Sequence, residues 1–183
     1  AEPFWLDDLK SLSLPDWQGV FWGAYRVGPE GSTCRMQARL SRGQTHDPPD
    51  RAFGSAYEPL RFWPMDRLAG AIQRCGHIGV NELFFTDPPG IWTPDRLTQW
   101  CHALLSAHNT QSWGFQLLPT LLTNGTVENL QTTLCRRIEY IFPSCDPAVL
   151  KRYGCILSPG ELAQMAEKLQ NAGIHVHLRF WVG

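Results

Sequence analysis

Near the end of the chain, three residues share a spacing that could do chemistry. His175, His177 and Arg179 alternate with Val176, Leu178, Phe180 and Val182. In an extended strand, side chains two apart point to one face, so the imidazoles, the guanidinium and Trp181 line one side and the aliphatic residues the other. The aliphatic side suits a layer of packed helices. The polar side must then face a lumen or cleft, because a sheet covered on both faces is normally apolar throughout. The row has three readings: hydrogen-bonded histidines filling a wet cavity, an anion-binding row led by Arg179, and a metal site joining His175 and His177 to Glu139. The metal reading lacks a convincing third ligand. Were the cavity catalytic, His175 or His177 would serve as acid or base, with Asp87 or Glu139 as the carboxylate partner. Gln116 is a further polar candidate on a neighbouring β-rich run.

The six cysteines, at 34, 75, 101, 135, 145 and 155, include no CxxC pair, so a tight zinc site is not expected. Cys75, Cys101 and Cys135 each fall beside apolar residues in helix-like stretches and read as reduced core residues. No nucleophile elbow or phosphate loop is present, and Gly28-Pro29-Glu30-Gly31 lacks the third glycine and following helix of a dinucleotide fingerprint.

These residues must be positioned by elements that the pattern makes visible. A helix is expected from Ser158 to Asn171: Ser158 caps it, Pro159 takes the first position, Glu161 completes a capping box and Gly173 stops it. Others open at Thr93-Pro94, with Leu97, Trp100, Cys101, Leu104 and Leu105 on one side, and at Pro64, ending before Gly76. A fourth is expected to be capped by Thr126 and buried through Leu130 and Leu134. Asn124-Gly125-Thr126 fits a glycosylation sequon but reads better as a turn and cap. Between the helices lie β-rich runs at 82–86, 113–118, 138–142 and 174–182, with an earlier one at 20–27. Alternating strands and helices predict βαβ units and a parallel sheet. Five strands and four helices cannot close a barrel, so the fold class is α/β, either a partial open β/α barrel or a doubly wound open sheet. One domain spans 1–183, with an N-terminal extension at 1–19 and a long loop at 28–60.

The strings carried by these elements resemble the radical S-adenosylmethionine (SAM) superfamily, in its cobalamin-associated branch. The resemblance runs from Val20 to Gly183. It rests on Arg61-Phe62-Trp63-Pro64-Met65-Asp66-Arg67-Leu68 as the entry to the first helix, and on Asn81-Glu82-Leu83-Phe84-Phe85-Thr86-Asp87 as a strand ending in Asp. It rests also on Ile138-Glu139-Tyr140-Ile141-Phe142-Pro143-Ser144 with Asp146-Pro147-Ala148-Val149-Leu150-Lys151, and on Leu169-Gln170-Asn171-Ala172-Gly173-Ile174-His175-Val176. The resemblance implies a [4Fe-4S] cluster held by three Cys of a CxxxCxxC loop after the first strand. Cys34-Arg35-Met36-Gln37-Ala38-Arg39-Leu40-Ser41 stands at that place, with Cys34 as a vestigial ligand and Ala38 and Ser41 where thiolates belong. Pro143 occupies the position of a Glu that would bind SAM. Cys145 and Cys155 lack the family spacing. No cofactor is therefore expected; an active member would need SAM and [4Fe-4S].

Lys+Arg 16 against Asp+Glu 17 gives a net charge of −1, with no basic footprint for nucleic acid or anionic membrane. No apolar run approaches the roughly 20 residues of a membrane span. An Ala-Glu-Pro start fits either signal cleavage or removal of an initiator Met, and a cytoplasmic location is expected. The leading expectation is a non-catalytic ligand- or partner-binding module. The alternatives are a radical SAM enzyme, or a fragment of one, using atypical residues, and a cluster-free α/β enzyme. A partner protein or adjacent domain would meet the open barrel edge beyond the last strand. The aromatic residues Phe4, Trp5, Trp17, Phe21, Trp22, Phe62 and Trp63 could cover that edge, with core packing as their ordinary role.

Overall fold

A computed structural model describes residues 8–13, 17, 19–29, 32–43, 60–118, 122–142, 144, 146–152 and 157–180. Five strands run parallel: β2 (Thr33–Ala38), β5 (Glu82–Phe85), β6 (Ser112–Leu117), β7 (Cys135–Phe142) and β8 (His175–Phe180). A two-residue strand, β1 (Arg26–Val27), pairs antiparallel with β2, giving the order β1-β2-β5-β6-β7-β8. A separate two-stranded ribbon pairs β3 (Ser41–Arg42) with β4 (Arg61–Phe62). The helices are α1 (Met65–His77), α2 (Pro94–Ser106), α3 (Asn124–Thr132), α4 (Pro147–Arg152) and α5 (Pro159–Asn171). The sheet curls into a half barrel with helices around it, as the partial-barrel reading expects.

The expected caps form where they were placed on α2 and α5. Thr93 Oγ accepts the Arg96 N–H, and Ser158 and Glu161 make the reciprocal bonds of a capping box. At the end of α5, Gly173 takes φ +75°, while Gly173 N–H donates to Gln170 O and Ile174 N–H to Leu169 O. That is the Schellman arrangement, and it turns the chain straight into β8. Two helix ends differ from expectation. Gly76 lies inside α1, where a Cβ would meet the Gln111 side chain at 2.9 Å, and the αL stop is Gly79. Thr123, not Thr126, caps α3; Thr126 lies in its first turn, and Leu134 lies past its end at φ +65°.

The larger correction concerns the first strand. Within 20–27, residues Trp22–Tyr25 form a 3-10 turn and only Arg26–Val27 pair, at the sheet edge. The first parallel strand is β2, inside the stretch expected to be a long loop; residues 44–59 of that stretch lie outside the described residues. Cys34 and Met36 bury one face of β2, while Arg35 and Gln37 stay exposed on the other. Burial of two alternate residues organises a segment whose Thr, Arg and Gln content masks it, since strand preference is set mostly by packing context. Cys34 is therefore a fully buried strand residue, and the string 34–41 is not the loop after the first strand. Pro143, Cys145, Cys155 and Trp181 lie outside the described residues.

The core fills the space between sheet and helices. Phe85, Trp100, Trp113 and Phe115 are fully buried from β5, α2 and β6. Their rings meet edge-on or stacked at centroid distances of 5.2 Å (Phe85–Trp100), 6.5 Å (Trp100–Trp113) and 5.4 Å (Trp113–Phe115). Cys75, Cys101 and Cys135 are buried free thiols, as expected, though Cys135 opens β7 rather than lying in a helix. Burial pushes the Cys75 thiol up to about 11 and raises the other two.

Candidate functional site

In a parallel sheet, residues in register point to the same face, so the strand pairings define what the inner face carries. One row runs Gln37, Phe84, Gly114, Arg137 and His175; the next pairs Gln116, Glu139 and His177. Gly114 is required there. A Cβ at 114 would lie 2.5 Å from the Arg137 carbonyl oxygen and 3.1 Å from the Phe84 ring, beside a register shift at Trp113/Gly114. The bare backbone leaves room for the Arg137 guanidinium to lie over the Phe84 ring, 5.0 Å from its centroid.

Glu139 organises this face. It is only 5% exposed, and its carboxylate accepts from Arg137 at one oxygen and from Arg179 Nη2 at the other, at 2.7 Å. Gln116 Nε2 approaches at 3.5 Å, the outer limit of a hydrogen bond. One carboxylate between two guanidinium groups leaves a net positive wall, and a buried charge held this way is satisfied rather than costly. A cavity of about 250 Å³ lies against it, lined also by Arg35, Gln37, Phe84 and Thr86. Arg35 is itself paired with Glu82 at 2.9 Å.

At the C-terminal ends of β2 and β5, Asp87 plays a different part. It is fully buried and accepts from the Leu40 N–H (2.9 Å), the Ser41 N–H (2.8 Å) and Ser41 Oγ (2.5 Å). Burial raises its pKa above the ordinary carboxylate value, opposed by these bonds and by Arg39. Burial also lowers Arg96, which lies 3.5 Å over the Phe62 ring centroid. Asp87 thus pins the chain leaving β2. Beside it is a second cavity of about 280 Å³, lined by Trp17, Trp63, Leu68, Ala38, Arg39 and Arg42, and sharing Gln37 and Thr86 with the first.

Of the residues singled out from sequence, the structure brings Glu139, Arg179 and Gln116 together at one cavity. Asp87 lines neither cavity and is committed to backbone. His175 and His177 share the inner face but are exposed and are not among the residues lining either cavity. No three His, Cys, Asp or Glu side chains converge as a metal site among the described residues. The aliphatic side of β8 is only partly covered: Val176 packs on the core, but Leu178 and Phe180 are 44% and 49% exposed. Sequence reasoning missed Arg137, Arg35 and Gln37. Arg137 stands two before Glu139 and was within reach of the same alternation, had the strand been started at Cys135.

No protein-family description matches this chain, and no curated protein does either. Solved structures do. The chain is similar to the apo form of the cobalamin-dependent S-adenosylmethionine radical enzyme OxsB, with a TM-score of 0.57 and 19% identity over 81% of this chain and 24% of that one. It is similar also to the radical S-adenosylmethionine methyltransferase TsrM from Kitasatospora setae, solved with cobalamin and a [4Fe-4S] cluster, with a TM-score of 0.62 and 9% identity over 79% and 30%. The chain thus spans less than a third of the length of either protein. It shares its half-barrel fold with cobalamin-dependent radical SAM enzymes.

Proposed function

We propose that this half barrel is a radical-SAM-like module that binds a small anionic ligand in its lumen and holds no iron–sulfur cluster. The observation that carries the reading is the wall of Arg137, Glu139 and Arg179 facing a cavity, on a scaffold whose segment after the first parallel strand lacks thiols. Residues 39–64, between β2 and α1, contain no cysteine. Cubane clusters are held by cysteine thiolates. Cys34, the nearest in sequence, is buried with Sγ 3.8 Å from the Trp22 carbonyl oxygen, on the face of β2 away from Arg35 and Gln37. The residues present do not fit a cluster on that segment.

The lumen offers recognition without an evident proton-transfer pair. Glu139 is occupied by two guanidinium groups, and Arg179, half exposed, has donors left for a carboxylate or phosphate. Titration of ¹⁵N-labelled protein with succinate tests this. Amides of β6, β7 and β8 should shift saturably, and Arg179→Gln should weaken binding about tenfold, the scale of one lost charge-assisted bond. Shifts confined to other regions, or the same affinity in Arg179→Gln, would contradict it.

A second reading concerns the edge of β8. Exposed Leu178 and Phe180, on a strand whose outer edge has no partner among the described residues, favour docking of a further strand from another protein segment.

A further inference from the structure

The second cavity, at the end of β2, has a chemistry of its own. Trp63 is 8% exposed, and its backbone N–H donates to the Leu40 carbonyl oxygen at 2.9 Å. Trp17 packs against the core, and its carbonyl oxygen accepts Trp22 Nε1 at 2.9 Å. Trp63 belongs to the core and Trp17 packs on it, so both side chains stand as walls of the space, and both backbones are tied to neighbours. Leu68 supplies a buried aliphatic contact.

The backbone that carries the cations is fixed as well. Arg39 and Arg42 flank Leu40 and Ser41, whose backbone N–H groups are both held by buried Asp87, and Arg42 is paired with Arg61 across the β3–β4 ribbon. Among the described residues Arg42 has no acidic partner, and the two oxygens of Asp87, the acid near Arg39, are already taken. Aromatic walls packed on the core next to two exposed arginines select a flat apolar body that carries negative charge. The size narrows the class: about 280 Å³ is at or just under the low end of ligand pockets, enough for a bicyclic aromatic acid rather than a whole nucleotide cofactor.

We propose that the cavity of Trp17, Trp63, Arg39 and Arg42 binds a flat organic anion, an aromatic ring system bearing one carboxylate or phosphate. The assignment does not depend on ligand binding at Arg179. Titration calorimetry with 2-naphthoate, 2-naphthyl phosphate and the neutral 2-naphthamide tests it on the full chain. At least one anion should bind at one site, about tenfold or more tighter than the amide, the scale of one charge-assisted contact; the tighter of the two anions identifies the charged group. An Arg39→Gln, Arg42→Gln double variant, checked for an unchanged melting temperature, should lose that discrimination and keep its response to succinate. Arg74→Gln, an exposed change on α1, should leave naphthoate binding as it is. Equal affinity for acid and amide, unchanged anion binding in the double variant, or no binding by either anion would overturn the proposal. Failure of succinate binding alone would count only against the lumen reading.

Discussion

At the residue scale, the two buried carboxylates do opposite jobs, and the sequence made them look alike. Glu139 was legible as a site residue because it sits on a strand face that alternation places toward the lumen, opposite His177 in β8. Asp87 reads from sequence as an equivalent carboxylate at a strand end. Its role became visible only with β2 and its exit in place, because its partners are backbone N–H groups 46 and 47 positions earlier. Asp87 also carries a pH signature. Its folded pKa lies above the unfolded value, so between those two values the folded state binds more protons than the unfolded state. Stability should therefore fall as pH rises from about 3.9 through the folded pKa of Asp87. Asp87→Asn removes that slope and, with one side-chain acceptor oxygen in place of the two of the ionised carboxylate, costs about 1–3 kcal/mol above the folded pKa of Asp87. Urea unfolding of both proteins across that range checks it; parallel pH curves would contradict the assignment.

At the element scale, helices were legible and the first strand was not, for one physical reason. Helix ends are local: Ser158, Pro159, Glu161 and Gly173 declare α5 through contacts within a few residues. Strand β2 is defined by its partners β1 and β5 and by burial of Cys34 and Met36, none of which is local. Starting the sheet at 20–27 instead of 33–38 moved Cys34 from strand to loop and hid Arg35 and Gln37 from the lumen. The same local rules predict a stabilising change. α2 ends with His108 at φ +53°, its N–H donating to Leu105 O and that of Asn109 to Leu104 O. That is a Schellman turn with a non-glycine residue in the left-handed position. His108→Gly should raise stability by about 1 kcal/mol, since the exposed imidazole is not needed for packing and the αL conformation costs an L-residue that amount. A lower melting temperature in this variant would mean that His108 makes a compensating contact.

At the scale of the whole molecule, alternation of strands and helices predicts a five-stranded parallel sheet, open barrel or doubly wound; the structure is the half barrel, and the similarity to OxsB and TsrM agrees with that architecture. The polar lumen follows from the same pattern, because an open barrel buries one face of its sheet under helices and leaves the other to whatever the cavity holds. What the chain does with that cavity is a separate matter from its fold. The central claim is that ligand binding replaces cluster chemistry on this scaffold, and anaerobic reconstitution of the 183-residue chain with iron and sulfide, followed by addition of SAM, tests it most directly. The account predicts no stoichiometric iron–sulfur absorbance after desalting and no 5′-deoxyadenosine. A bound [4Fe-4S] chromophore together with reductive cleavage of SAM would contradict it.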